Sequence, residues 1–401
     1  MNRPAILKNF DSLSIALETQ SYKFIHQNTV EGELFDVKKE TKKFVKSKIA
    51  KHRNKNKDFY KKYCYEWMLD FENFQNPLEA MYQLWVVSML ASNPKKHPSR
   101  DKFSNIAVRF LPCGNAAAES IYNNGFRYII ISTAFVGLAK SYAWLNYSLA
   151  KIGTCLPRTT NFVNSNIMGG ADIEASLRSG DPKVLEAVND FLQVAIYFVK
   201  YQPPPLKFHN FIDHLNDPKS GFVKFGKIFT AIESYLLYHE LAHLLEHDFS
   251  ELQRTTAEEL HADKIATSML IRHTQINKTP ILDYYTGPIV CLQLFRLFHL
   301  VRTVVVISDT VNANQGAMFD IKELGQVLLA SENELSLRLH GLRHSMLQWG
   351  VLKGAEGLFS DLTAESHLAI VACQGQLIAD LDKSSPFNHY EVLLKNMSVS
   401  K

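Results

Sequence analysis

At 401 residues, 46% hydrophobic and 21% charged, the chain has globular composition, which excludes a disordered or fibrous class and allows one large core or two to three domains. The net charge of +4 is mild but uneven: Lys38 to Lys62 hold 12 Lys/Arg against Glu40 and Asp58, a local +10 that leaves −6 for the remainder. Cys64, Cys113, Cys155, Cys291 and Cys373 lie far apart with no C-x-x-C, so reduced thiols in a cytoplasmic protein are expected rather than a disulfide framework.

The start, "MNRPAILKNFDSLSIALE", has no apolar h-region, so no signal peptide is expected. Residues up to about 92 read as helical, and "NPLEAMYQLWVVSMLA" carries an N-terminal Pro and a continuous apolar face. "NPKKHPSRD", from Asn93 to Asp101, is turn chemistry and marks a boundary. "IAVRFLP" then alternates like a half-buried strand, and "ESIYNNGFRYIIIS" places Asn124-Gly125 between two β-prone runs, a hairpin signal. A helix is expected from Ala134 to Leu149, and another in "DPKVLEAVNDFLQVAIYFVKY" between the loops "NIMGGAD" and "YQPPPLKF".

A further helix, roughly Lys227 to His247, carries Ile228, Phe229, Ile232, Leu236, Leu237, Leu241, Leu244 and Leu245, so it should be almost wholly buried. The next helix begins near Thr256, and everything after Ile281 reads as helices apart from "SDTVNANQGAMFD" and "DKSSPFNH". "YIIISTAFVGLA" is too short to span a bilayer. "GPIVCLQLFRLFHLVRTVVVIS" is interrupted by Arg296, His299 and Arg302, so it reads as a core helix, and no membrane association is expected.

The buried helix contains His239-Glu240-Leu241-Ala242-His243, an H-E-x-x-H pattern. His239 and His243 are four apart on one helix face, so their imidazoles can bind one metal ion. Glu240 is rotated about 100° from His239, away from the metal yet within reach of a metal-bound water as general base. A catalytic zinc needs a third protein ligand. Phe249 and Glu246 stand where the metzincin pattern needs His and Gly, and His247 lies about 12 Å further along the axis than His239. "TAEELHADKIA" offers the better candidate: Glu259 can complete the site, and Asp263, one turn on, can accept the remaining ring N–H of a ligand histidine. The bland alternative is two histidines on a polar strip of a packed helix. It is weakened because three ionisable groups at the centre of an apolar helix need compensation.

H-E-x-x-H followed by E-x-x-A-D resembles the Glu-ligand (gluzincin-type) zincin metallopeptidases. The run Glu258-Glu259-Leu260-His261-Ala262-Asp263-Lys264-Ile265-Ala266 is most similar to the Lit-type phage-exclusion peptidases, whose second motif has the shape E-E-x-x-A-D-x-x-A. The resemblance spans about 225 to 275. It implies one zinc per chain on His239, His243 and Glu259, with Glu240 as catalytic base. It also implies cleavage of an intracellular protein, a role in antiphage defence, and an activating protein or peptide.

The expected fold is α+β, predominantly α: a zincin-like core in which a small sheet packs on the two site helices and an edge strand pairs with extended substrate. The expected domains are a basic helical region (1–98), the catalytic core (99–280) and a C-terminal helical region (281–401) completing the cleft. For the oxyanion, "RLHGLRHSMLQW" offers His340, Arg343 and His344, and "DYYTG" offers Tyr284 and Tyr285; His340 is the residue chosen. The Lys38–Lys62 run could bind nucleic acid, but no nucleic-acid motif accompanies it, and the solvated face of an amphipathic helix is favoured. The competing reading of the whole chain is a non-catalytic zincin-scaffold binding protein acting through that basic segment. A hydrolase of a non-peptide bond would share the same motif.

Overall fold

The computed structural model describes residues 4–20, 37–55, 66–92, 106–111, 117–152, 223–246, 255–277, 287–299 and 321–348, with parts of 182–195. The expected turn at 93–101, the loops at 166–172, 201–208, 308–320 and 382–389, and Tyr284 and Tyr285 lie outside them. The described residues are mostly helical with one three-stranded sheet. None of their helices is long and apolar enough to cross a membrane. The chain divides into two compact units, Met1–Thr133 with Leu236–Glu258, and Ala134–Tyr235 with Glu259–Lys401.

In the first unit, β2 (Ala118–Asn123) and β3 (Phe126–Ser132) form the expected hairpin. Asn124 (φ 50°) and Gly125 (φ 81°) both take positive φ, the backbone a two-residue hairpin turn requires and Asn-Gly tolerates best. The strand β1 (Ile106–Leu111) differs from its expectation in one respect. All six of its residues are buried, not every second one, and it lies parallel to β3 in the order β1-β3-β2. Parallel strands are covered on both faces, so an apolar run with little alternation is the residue pattern they need. One face carries Ala107, Leu111, Tyr128 and Ile130, which pack with Ile6, Leu7 and Phe10 of α1 (Ala5–Gln20). The Tyr128 hydroxyl donates to the Ile6 carbonyl at 2.8 Å, tying that helix to the sheet.

The outer edge of β1 is closed by side chains of the helix Pro77–Ser92. Gln83 donates to the Ile106 carbonyl (3.0 Å) and accepts from the Val108 N–H (2.7 Å). Glu79 accepts from the Phe110 N–H (3.2 Å) and pairs with the guanidinium of Arg109. The Ile106 carbonyl and the N–H groups of Val108 and Phe110, which face the open edge, are thus satisfied from within the chain.

The described part of the Lys-rich run, to Lys55, forms a continuous helical stretch, α2 (Val37–Phe44), a π-helical turn (Val45–Ile49) and α3 (Ala50–Lys55), and the rest of the run to Lys62 lies outside the described residues; two 3-10 turns (Glu66–Leu69 and Phe71–Asn73) precede α4 (Pro77–Ser92). Thr41, Val45 and Ile49 are buried while Lys38, Lys42, Lys46, Lys48 and Lys51 are exposed. Its apolar stripe is therefore already spent on the protein's own core.

"YIIISTAFVGLA" splits into the end of β3, in the first unit, and the start of α5 (Thr133–Ile152), which belongs to the second unit from Ala134 onward. Phe135 of α5 packs edge-on against Phe298 and tilted against Phe295 of α8 (residues 287–299). The helix α6 (Val223–Glu246) belongs to this unit as far as Tyr235, with Ala231, Ile232 and Tyr235 buried, and from Leu236 onward to the first. A Cβ on Gly287 would come within 2.5 Å of the Ala231 carbonyl oxygen, so glycine permits the close approach of α8 to α6. The described residues of the unit also include α7 (Thr256–Asn277) from Glu259 onward and α9 (Ile321–Gln348).

Candidate metal centre

The apolar content of α6 buries almost every described side chain from Phe229 to Leu245, and the polar residues go in with them. His239, Glu240 and His243 are 2%, 3% and 1% exposed, so water does not solvate them and something within the fold must. The two imidazoles meet edge to face, 4.8 Å between centroids, with Nε2 of His239 3.2 Å from Nε2 of His243. Two nitrogens bonded tetrahedrally to one zinc at about 2.0–2.1 Å stand about 3.3 Å apart. The helix therefore presents the pair at close to the separation a shared metal requires.

The start of α7 is set by a reciprocal cap. The Thr255 N–H donates to the Glu258 carboxylate (2.7 Å), and the Glu258 N–H donates back to the Thr255 hydroxyl (3.3 Å). Glu258 thus has a structural task, and Glu259 follows it at the first turn of α7. His239, His243 and Glu259 each offer one ligand atom, and these atoms lie within 4.8 Å of one another. Two imidazoles and a carboxylate are a donor set suited to zinc and other borderline divalent ions.

Asp263 is 1% exposed. One of its oxygens accepts from the Tyr235 hydroxyl (2.6 Å) and from Arg338 Nη2 (2.8 Å); the other accepts from Arg338 Nε (2.8 Å). The third nitrogen of the guanidinium, Nη1, stands 3.2 Å from Glu259. The Asp263 carboxylate thus receives Tyr235 and Arg338, two donors that the sequence reading did not name. Burial alone would lower the Arg338 pKa, but the charge and hydrogen bonds of Asp263, with Tyr235 and Glu259 beyond, raise it well above its ordinary value. Burial, then the charge of Asp263, likewise pushes the Tyr235 phenol far up, so it stays a neutral donor.

His340 is exposed on α9, two residues from Arg338 and so about 200° around the helix from it. Arg343 and His344 are exposed as well, and the His344 ring meets the Gln348 amide at 2.8 Å. No described hydrogen bond or ion pair joins His340 to Glu259 or Asp263, so the group forms without it.

Tyr235 and Arg338 are the two residues that sequence reasoning missed. Tyr235 continues a polar stripe with His239 and His243 at four-residue spacing, which was a usable signal. Arg338 shares a face with Leu335, Leu342, Ser345 and Met346, all buried; a lone arginine on an apolar face was the only mark it carried.

Residues 141–304 match the model of the family described as Peptidase U49. No curated protein and no solved structure matches the chain. The matched stretch contains His239, Glu240, His243, Glu259 and Asp263 and ends before α9. It supports a peptidase, a hydrolase whose substrate is protein.

Proposed function

We propose that this protein is a zinc-dependent endopeptidase with a zincin-like core, in which His239, His243 and Glu259 hold one zinc ion and Glu240 is the catalytic base. The reading rests on one observation above the rest, the buried convergence of two Nε2 atoms at 3.2 Å with a carboxylate beside them. Bound there, zinc would polarise the scissile carbonyl and lower the pKa of a water molecule. His239 and His243 present neutral imidazole nitrogens from successive turns of a rigid helix, and Glu259 brings one negative charge. Glu240 takes a proton from the attacking water and passes it to the leaving amine nitrogen. Tyr235 and Arg338 hold Asp263, and with it the first two turns of α7, in place.

The substrate on this reading is an intracellular protein cut in the cytoplasm, in exclusion of phage, with an activating protein or peptide as partner. The three regions 1–98, 99–280 and 281–401 serve as basic arm, catalytic core and cleft wall.

The test begins with metal content. Wild type should carry about one zinc per chain, His239→Ala and Glu259→Ala should lose it, and Glu240→Gln should keep it while turnover falls by at least about 10²-fold. Substrate captured on Glu240→Gln from infected cells then serves the assay. Wild type that takes up no zinc on addition of metal would turn attention to the binding-protein reading.

A further inference from the structure

The guanidinium of Arg338 faces three carboxylates, of which Glu334, one turn earlier on α9 and more exposed than the other two, is the most distant at 3.7 Å from Nη1. Nε and Nη2 form a two-point contact with Asp263, both at 2.8 Å, and Nη1 reaches Glu259 at 3.2 Å. The two acids stand one turn apart on α7, and all three side chains are largely buried, with Arg338 8% and Asp263 1% exposed. A planar fork on a carboxylate fixes direction as well as distance, which a lysine ammonium does not. The Asp263 contact therefore aims Nη1, and Nη1 locates the Glu259 carboxylate. The Tyr235 hydroxyl locks the far side of Asp263 at 2.6 Å. Phe295 lies under the guanidinium, 5.7 Å from its ring centroid, and restricts it further.

We infer that Arg338 is the positioning residue for the third metal ligand: anchored on Asp263, it holds the Glu259 carboxylate ready for zinc. The inference rests on the proposed zinc site. It makes α9 part of the metal centre, although α9 lies beyond the stretch that matches a peptidase family. Two opposing effects follow from placing a cation beside a ligand. Its charge repels the incoming metal, and its orientation of Glu259 favours binding. The fork geometry decides which matters, because Lys at 338 keeps the charge and removes the aim.

The experiment is zinc affinity, read by competition with a chromophoric chelator, for wild type, Arg338→Lys, Glu259→Gln and the double variant, beside thermal unfolding of each metal-free protein. Arg338→Lys is expected to weaken zinc at least tenfold in the wild-type background and less than threefold with Glu259→Gln, because the arginine acts through that carboxylate. Equal losses in both backgrounds, or none in either, would overturn the inference. If Arg338→Lys does not fold, Asp263→Asn is placed in the same cycle. Removing the anchor should weaken zinc with Glu259 present and change it little with Glu259→Gln, and a loss independent of Glu259 would overturn the positioning role. Wild type without zinc would remove the metal reading itself, and this inference with it.

Discussion

Several buried side chains here carry charge or polarity that the apolar packing around them does not solvate. Glu233, one helical face with Glu240 and two turns before it, is 3% exposed, and its Oε1 has no hydrogen-bond partner. Burial raises its pKa well above 4.5. Below 4.5 the carboxyl is protonated in both the folded and unfolded chains. Above it the unfolded chain sheds the proton first, so the folded state loses stability as pH rises towards its raised pKa. Glu233→Gln should therefore stabilise the protein at pH 7, with the gain vanishing near about pH 4. Urea unfolding across that range checks this, and a pH-independent difference would show that the carboxyl is not what is penalised. His340 marks a second outcome at this scale. Exposed and turned away from Arg338, it should tolerate alanine with turnover within about twofold of wild type. A larger loss with zinc retained would return it to the oxyanion role.

Secondary elements are fixed here by a few side chains at their ends and edges. Gln83 satisfies two buried backbone groups of β1, so Gln83→Ala should cost about 1–3 kcal/mol in chemical unfolding. A loss below about 0.5 kcal/mol would mean the edge finds other partners. Thr255 caps the helix that carries Glu259, and Thr255→Ala should cost about 1 kcal/mol while loosening the first turn of α7. Hydrogen exchange at that turn is the measurement, and unchanged protection would place its order elsewhere. The hairpin, the motif helix and the start near Thr256 were legible because each is written locally, in Asn124-Gly125, in an apolar face, and in a threonine three residues before a glutamate. The parallel pairing of β1 with β3 was not. Nothing in "IAVRFL" states which strand it will lie beside, and continuous burial reads as alternation when only one face is considered.

For the whole molecule, the Lys-rich stretch decides between two kinds of protein. Its apolar residues Val45 and Ile49 are buried, Lys38 pairs with Glu72 and Arg53 with Glu66, and Lys38 and Lys42 rest over the Phe71 ring. Those contacts describe a helix packed on its own unit with lysines turned to solvent. Binding to a polyanion such as heparin should therefore be weak and lost by about 0.15 M salt. Retention well above that concentration would revive the nucleic-acid reading of the segment. The C-terminal part of the chain supplies Arg338, which pairs with Asp263 and Glu259.

By itself the sequence determined the predominantly helical class, the hairpin, the burial of the motif helix and the choice of His239, Glu240, His243, Glu259 and Asp263 as the residues of interest. These follow from spacing along the chain, and a helix or a two-residue turn converts spacing directly into geometry. Tertiary structure alone decided what Asp263 bonds to, that Arg338 and Tyr235 join it, and that β1 is sealed by Gln83 and Glu79. Those contacts link residues 23 to 75 positions apart, where no local preference operates and only the packing of one element on another brings donors to acceptors.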